Sequence, residues 1–151
     1  MPMRTLLSTL ILGVLLSAGM PAGLAPEQAT PEQANAMALA AAEFLDKSGP
    51  ETAFAEFSSP DGQFRDRELY VFVVDKDGVT RAHGADPSQI DRNVLGLTDI
   101  DGVPFIRRMV AIQDQGWVEY KYFNPVTKRV QPKTAYVVHR GDYWIGVGAY
   151  R

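Results

Sequence analysis

The sequence contains no cysteine and only two histidines among its 151 residues. Disulfide staples, thiolate metal sites, a cysteine nucleophile and a lipid-modified N-terminal cysteine are excluded together. The two histidines have no supporting ligand spacing, so neither a metal nor a cofactor is expected. Positive charge is also scarce: 15 Lys and Arg against 18 Asp and Glu leave a net charge of −3, and the basic residues are scattered along the chain. A nucleic-acid partner is not expected on that ground, because phosphate recognition needs a basic footprint. Catalytic signatures are missing as well: no Gly-x-Ser-x-Gly, no P-loop, no Gly-x-Gly-x-x-Gly opening a helix after a strand, no His-Glu-x-x-His.

What is present is ordinary globular composition, with 46% hydrophobic residues, 22% charged residues, 13 glycines and 10 prolines. It fits one domain of common size. Residues 1–25 stand apart: Arg4 is their only charge, an apolar run fills 6–16, and Ser17, Ala18 and Gly19 follow. A positive start, a short apolar core and small residues are the layout of a secretory leader. The core falls short of the about 20 residues a bilayer span needs. We read 1–25 as a signal peptide and 26–151 as a single domain, with cleavage after Ala25 or, as the competing position, after Gly19. The expected location is periplasmic or secreted.

Residues 30–47 predict a helix, with Thr30 as N-cap, Pro31 at the first helical position and Glu32-Gln33 in the first turn. Met37, Ala40, Ala41, Phe44 and Leu45 recur at helical spacing, an Ala-rich stripe that lets the helix lie close to what it covers. A second short helix over 51–57 turns Phe54 and Phe57 inward. The segment 68–75 reads as a strand apolar on both faces, Leu69, Val71 and Val73 on one and Tyr70, Phe72 and Val74 on the other. A central strand covered on both sides has this pattern. Asp77-Gly78 turns the chain into a strand over 79–83. A helix is expected over 104–113 with Phe105, Met109 and Ile112 buried, then strands over 117–123, 130–139 and 143–150. This order describes an α+β domain: a five-stranded antiparallel sheet with an N-terminal helix packed on it, in a PAS-like arrangement. Asp75, Asp77, Asp99 and Asp101 lack the spacing and terminal Glu of a calcium loop and read as turn residues.

Several strings recur in a fixed order: Tyr70-Val-Phe-Val-Val-Asp75, Asp77-Gly78, Ala82-His83, Asn93 with Asp99 and Asp101-Gly102, Gly116-Trp117-Val118-Glu119-Tyr120, Asn124-Pro125-Val126-Thr127, Lys133-Thr134-Ala135-Tyr136-Val137, and Ile145-Gly146-Val147-Gly148-Ala149-Tyr150. Together they resemble the single Cache domain of type 2 over essentially all of 26–151. That resemblance implies an extracytoplasmic sensor module that binds small organic acids or similar metabolites on one face of its sheet. Such domains typically sit between two transmembrane helices of a receptor. Here the chain stops at Arg151, so no output domain of its own is expected.

Lys133 is the leading candidate ligand residue, because it shares a strand face with Ala135, Val137 and His139. An ammonium in that row needs a ligand carboxylate or a protein acid; otherwise it sits at a solvent-exposed edge after Pro132. Tyr70, Tyr120 and Tyr136 offer hydroxyls on an apolar wall, or pack as core. Trp117 is a candidate pocket wall, and His83 a candidate donor and acceptor near a bound acid or else a structural histidine. Arg108 lies beside the buried side of its helix with a fork suited to a carboxylate, or stays a solvated charge. Gly146 and Gly148 alternate with Trp144 and Tyr150 and leave room on that face for a ligand or a closely packed helix. The expected activity is binding of a small carboxylate, not turnover. Two alternatives stand beside it: an interaction subunit docking on a membrane sensor or enzyme, and an enzyme with His83 as general base.

Overall fold

The computed structural model describes Gly23 and residues 27–151. Apart from Gly23, the signal-peptide reading of 1–25 lies outside the described residues.

Helix α1 spans Pro31–Ser48 and begins where the capping signal places it. The Thr30 hydroxyl accepts from the Gln33 N–H, and the Gln33 side chain accepts from the Thr30 N–H at 2.9 Å. Gly49, at φ +79°, breaks the helix and leads directly into α2, Pro50–Ser58. Ala34, Ala38, Ala41, Ala42 and Leu45 form the buried stripe of α1, and their small volume lets the helix lie against the sheet. Phe57 of α2 is fully buried and meets Phe64 edge-on at 4.9 Å. Phe54 is only partly buried and meets Tyr143 at 5.0 Å.

The sheet has six antiparallel strands: β1 Arg65–Asp66, β2 Leu69–Asp75, β3 Thr80–His83, β4 Gln115–Asn124, β5 Arg129–Arg140 and β6 Tyr143–Tyr150. Their spatial order is β1-β2-β6-β5-β4, with β3 also paired to β2. The sequence pattern predicts five strands. The sixth, β1, is a two-residue exposed Arg-Asp pair with no alternation to announce it. Short helix α3, Phe105–Val110, ends earlier than the predicted 104–113. The Trp144 indole N–H takes the Ile112 carbonyl at 2.8 Å, and the chain is already turning toward β4 there.

Strand β2 is buried along its whole length, and its two faces serve two cores. Leu69, Val71 and Val73 pack with Ile145, Val147 and the α1 alanines. Tyr70, Phe72 and Val74 pack with Val118, Tyr120, Val137 and Phe105, Ile106 and Met109 of α3. Between β3 and α3 the chain returns beside β3 through a Val79–Asn93 bridge, putting Val94 over this second face. The aspartates act within these turns. Asp75 accepts from the N–H groups of Asp77 and Val79 and from Arg81, and Asp99 accepts from those of Asp101, Val103 and Lys121.

Gly146 sits under the Phe72 ring, where a Cβ would collide with ring carbons. The ring packs in the second core, and a Cβ at Gly146 would have to displace it. Gly146→Ala is expected to lower stability by about 1–3 kcal/mol, read as a lower melting temperature or urea midpoint. An unchanged midpoint would mean that this face is loosely packed.

Candidate functional site

Lys133 lies in the middle of β5, and its register partners are Tyr120 on β4 and Tyr150 on β6. It is fully buried, so the solvent-edge alternative is corrected. Alternation places it on the second face with Ala135 and Val137. Gly148, two residues before Tyr150, has no side chain, and a Cβ there would overlap the Lys133 methylenes. That missing side chain gives the lysine stem its channel.

At the end of the stem the ammonium enters an aromatic cage. Nζ donates to the Tyr70 hydroxyl at 2.9 Å. It lies 4.4 Å from the centre of the Tyr70 ring, 4.9 Å from Tyr150, 5.2 Å from Tyr122, 5.4 Å from Phe72 and 5.8 Å from Tyr120. Ring faces attract a cation, but they do not replace its lost hydration. Among the described residues no carboxylate pairs with it. Burial therefore pulls the Lys133 ammonium down from its ordinary range to about 7. Burial likewise pushes the Tyr70 and Tyr120 hydroxyls well above their usual value, so they stay protonated as potential donors.

His83 closes one side, with its ring 4.9 Å from that of Tyr70. Its Nδ1 accepts from the N–H groups of Asp86, at 2.9 Å, and Ala85. The ring proton therefore belongs on Nε2. Burial, reinforced by the nearby Lys133 charge, lowers His83 to about 4 and keeps the ring neutral. Among the described residues no carboxylate is hydrogen-bonded to the ring, as a base-and-orienter pair would need.

The open space beside Nζ is about 30 Å³, room for about two water molecules. Tyr70, His83, Gln89 and Tyr122 also border a wider outer groove of about 460 Å³ that reaches Asp86 and Lys128. The small inner chamber and the roomy vestibule outside it thus share these four lining residues. Among the described residues, no three His, Asp or Glu side chains gather to hold a metal ion.

Of the seven residues singled out in the sequence, Tyr70, His83, Tyr120 and Lys133 line the inner chamber. The structure places the other three away from it. Tyr136 pairs with Trp117, and both lie on the opposite face, Tyr136 within the helix-side core and Trp117 45% exposed. They sit an odd number of positions from Lys133 and Tyr120, so the pleat turns them away. Arg108 is exposed, because α3 buries Phe105, Ile106 and Met109. Tyr122, Tyr150 and Phe72 are cage members that the sequence reading did not single out. Tyr122 has the same parity as Tyr120, a signal that was available.

The family model described as Single Cache domain 2 matches residues 32–151. No curated protein matches the sequence. Among solved structures, a methyl-accepting chemotaxis protein from Vibrio parahaemolyticus superposes with a TM-score of 0.64 at 20% identity, covering 77% of this chain and 82% of that one. A structure solved for carboxylic acid recognition by a Cache chemosensory domain gives 0.61 at 20% identity, over 79% and 86%. A periplasmic sensor domain of a chemotaxis protein gives 0.60 at 21% identity, over 79% and 88%. At these identities the likeness establishes the fold, α+β with helices packed on an antiparallel sheet.

Proposed function

The chain belongs to the single Cache domain 2 family, and from that premise we propose that it is an exported sensor module holding a short carboxylate against Lys133. One observation carries this reading: a buried ammonium whose positive charge meets aromatic faces and a phenol but no acid. An anionic ligand supplies the missing charge. The neutral Tyr70 hydroxyl and the His83 Nε2–H are donors for the remaining carboxylate oxygen sites, and the ring faces suit a small apolar tail. The inner chamber fits two waters, so a short acid held against Nζ extends past Gln89 and Tyr122 into the vestibule. The family is one of sensory ligand-binding domains, and we assign binding without turnover.

A thermal-shift screen of short organic acids against the purified chain tests this. A carboxylate at 100 times its dissociation constant should stabilise by about 2.7 kcal/mol. No shift with any short acid would overturn the reading.

The affinity also carries a pH signature. The ligand pairs with charged Lys133, whose free-state value is about 7. Above that pH the free protein must take up a proton on binding. The dissociation constant is therefore expected to rise about tenfold per pH unit above neutrality. Calorimetry in buffers of different ionisation enthalpy would show the proton uptake. A flat profile between pH 7 and pH 9 would place the anion elsewhere.

Leu97, Ile100, Phe123 and Val130 are exposed apolar side chains bordering one shallow depression near the vestibule. They favour a second reading, in which occupancy is read by a separate membrane sensor docking here rather than on α1, whose outer face exposes Leu39 alone among large apolar residues. Lys121 and Asp101 form an ion pair at its rim. Co-purification of a membrane protein that is lost on Ile100→Asp would support it.

A further inference from the structure

We propose that Lys133 captures a 2-oxo acid covalently, as a reversible Schiff base between its side-chain nitrogen and the ligand's carbonyl carbon. This deepens the carboxylate reading and rests on it, because the ligand's own carboxylate neutralises the iminium charge. The observations are geometric. The amine is fully buried, is held by a phenol at 2.9 Å, and is surrounded by five rings with no acid to keep it protonated.

The titratable groups facing the amine are Tyr70 from β2, His83 from β3, Tyr120 and Tyr122 from β4, and Tyr150 from β6; α3 contributes only the apolar Phe105 and Ile106. Asp86 and Arg92 act on the outer members His83 and Tyr122. Among the described residues, only the Tyr70 hydroxyl is hydrogen-bonded to Nζ. Desolvation makes a buried lysine a nucleophile at neutral pH. With its value near 7, about half of Lys133 is neutral at pH 7, whereas a solvated lysine is neutral in fewer than about one molecule in a thousand.

The neutral amine attacks the carbonyl carbon, the C–N bond forms, and the carbonyl π electrons move to oxygen. That oxygen takes a proton from the Tyr70 hydroxyl or the His83 Nε2–H, and the nitrogen returns one to the same group. The carbinolamine hydroxyl then takes a proton from that same group and leaves as water while the nitrogen lone pair forms the C=N bond, and the iminium N–H proton can return to the group, giving the neutral imine. Amine plus carbonyl gives imine plus one water, without an oxidant or reductant. Protonated, the iminium keeps a cation inside the same ring cage.

The experiment is reductive trapping: the full chain is incubated with pyruvate and cyanoborohydride, digested, and mapped by mass spectrometry, with propionate as the carbonyl-free control. Lys133 should be modified at least about tenfold faster than the exposed Lys47 and Lys128, with a rate that rises from about pH 6 to pH 8. Lys133→Arg should lose that adduct, and Tyr70→Phe should slow its formation. Modification confined to exposed lysines would overturn the proposal. Stabilisation by both pyruvate and propionate without an adduct at Lys133 would overturn it and leave the carboxylate reading standing. Neither adduct nor stabilisation would overturn both.

Discussion

Lys133→Met is expected to abolish carboxylate binding while the chain stays folded. Methionine is close to lysine in length, so it fills the channel above Gly148 without opening a large cavity. Among the described residues it removes the one cation lining the inner chamber. Truncating one partner of a desolvated charge pair costs about 2–5 kcal/mol in binding, or roughly 30-fold to several thousand-fold in affinity. Isothermal calorimetry with an acid found in the screen measures the loss. The opposite pattern, retained affinity with reduced stability, would make Lys133 a structural residue and move the anion site to the vestibule, where Lys128 is the cation.

The wild-type chain should become more stable as pH rises from about 7 to about 10, and the Lys133→Met chain should not. Lysine in the unfolded chain titrates near 10.4, whereas burial brings the folded value to about 7. Between those values the unfolded state holds one proton more than the folded state. Stability rises with pH wherever the unfolded state binds more protons, here by up to about 1.4 kcal/mol per pH unit. Below about pH 7 both states are charged at this site and the full cost of burying the ammonium is present; above about 10 the buried tyrosines reverse the trend, since they resist the ionisation that their unfolded counterparts undergo. Urea unfolding across this window measures it, with up to about 4 kcal/mol expected between the ends. A wild-type curve as flat as the variant's would mean that the folded chain solvates or pairs this ammonium. The same cost predicts that Lys133→Met at pH 7 holds or raises the melting temperature despite losing the Tyr70 hydrogen bond.

Most of the fold was legible because its signals are local. The Thr30 N-cap, the two-faced apolar run of β2 and the Asp77-Gly78 turn each sit within a few residues of what they specify. Strand parity was present in the sequence but not applied to the candidate residues: pleating alone separates Lys133, Tyr120 and Tyr122 from Tyr136 and Trp117. What escaped local reading was short or held from afar. The two-residue β1 has no pattern, and just beyond the end of α3 the Ile112 carbonyl accepts from Trp144 on the last strand, a contact made from afar.

The sequence by itself determined an α+β domain with a lysine in an apolar row and glycines opposite it. Only the tertiary structure decided what that lysine meets. Tyr70 is 63 positions away in the chain, and Phe72, Tyr120, Tyr122 and Tyr150 come from three different strands. Their convergence depends on β6 lying between β2 and β5, a strand order that no residue encodes locally. The missing acid is likewise a property of the assembled chamber, since a carboxylate from any element could have filled the place beside Nζ. Burial without a counter-charge is what lowers the lysine's proton affinity, and burial exists only once the sheet and the returning chain have closed over it.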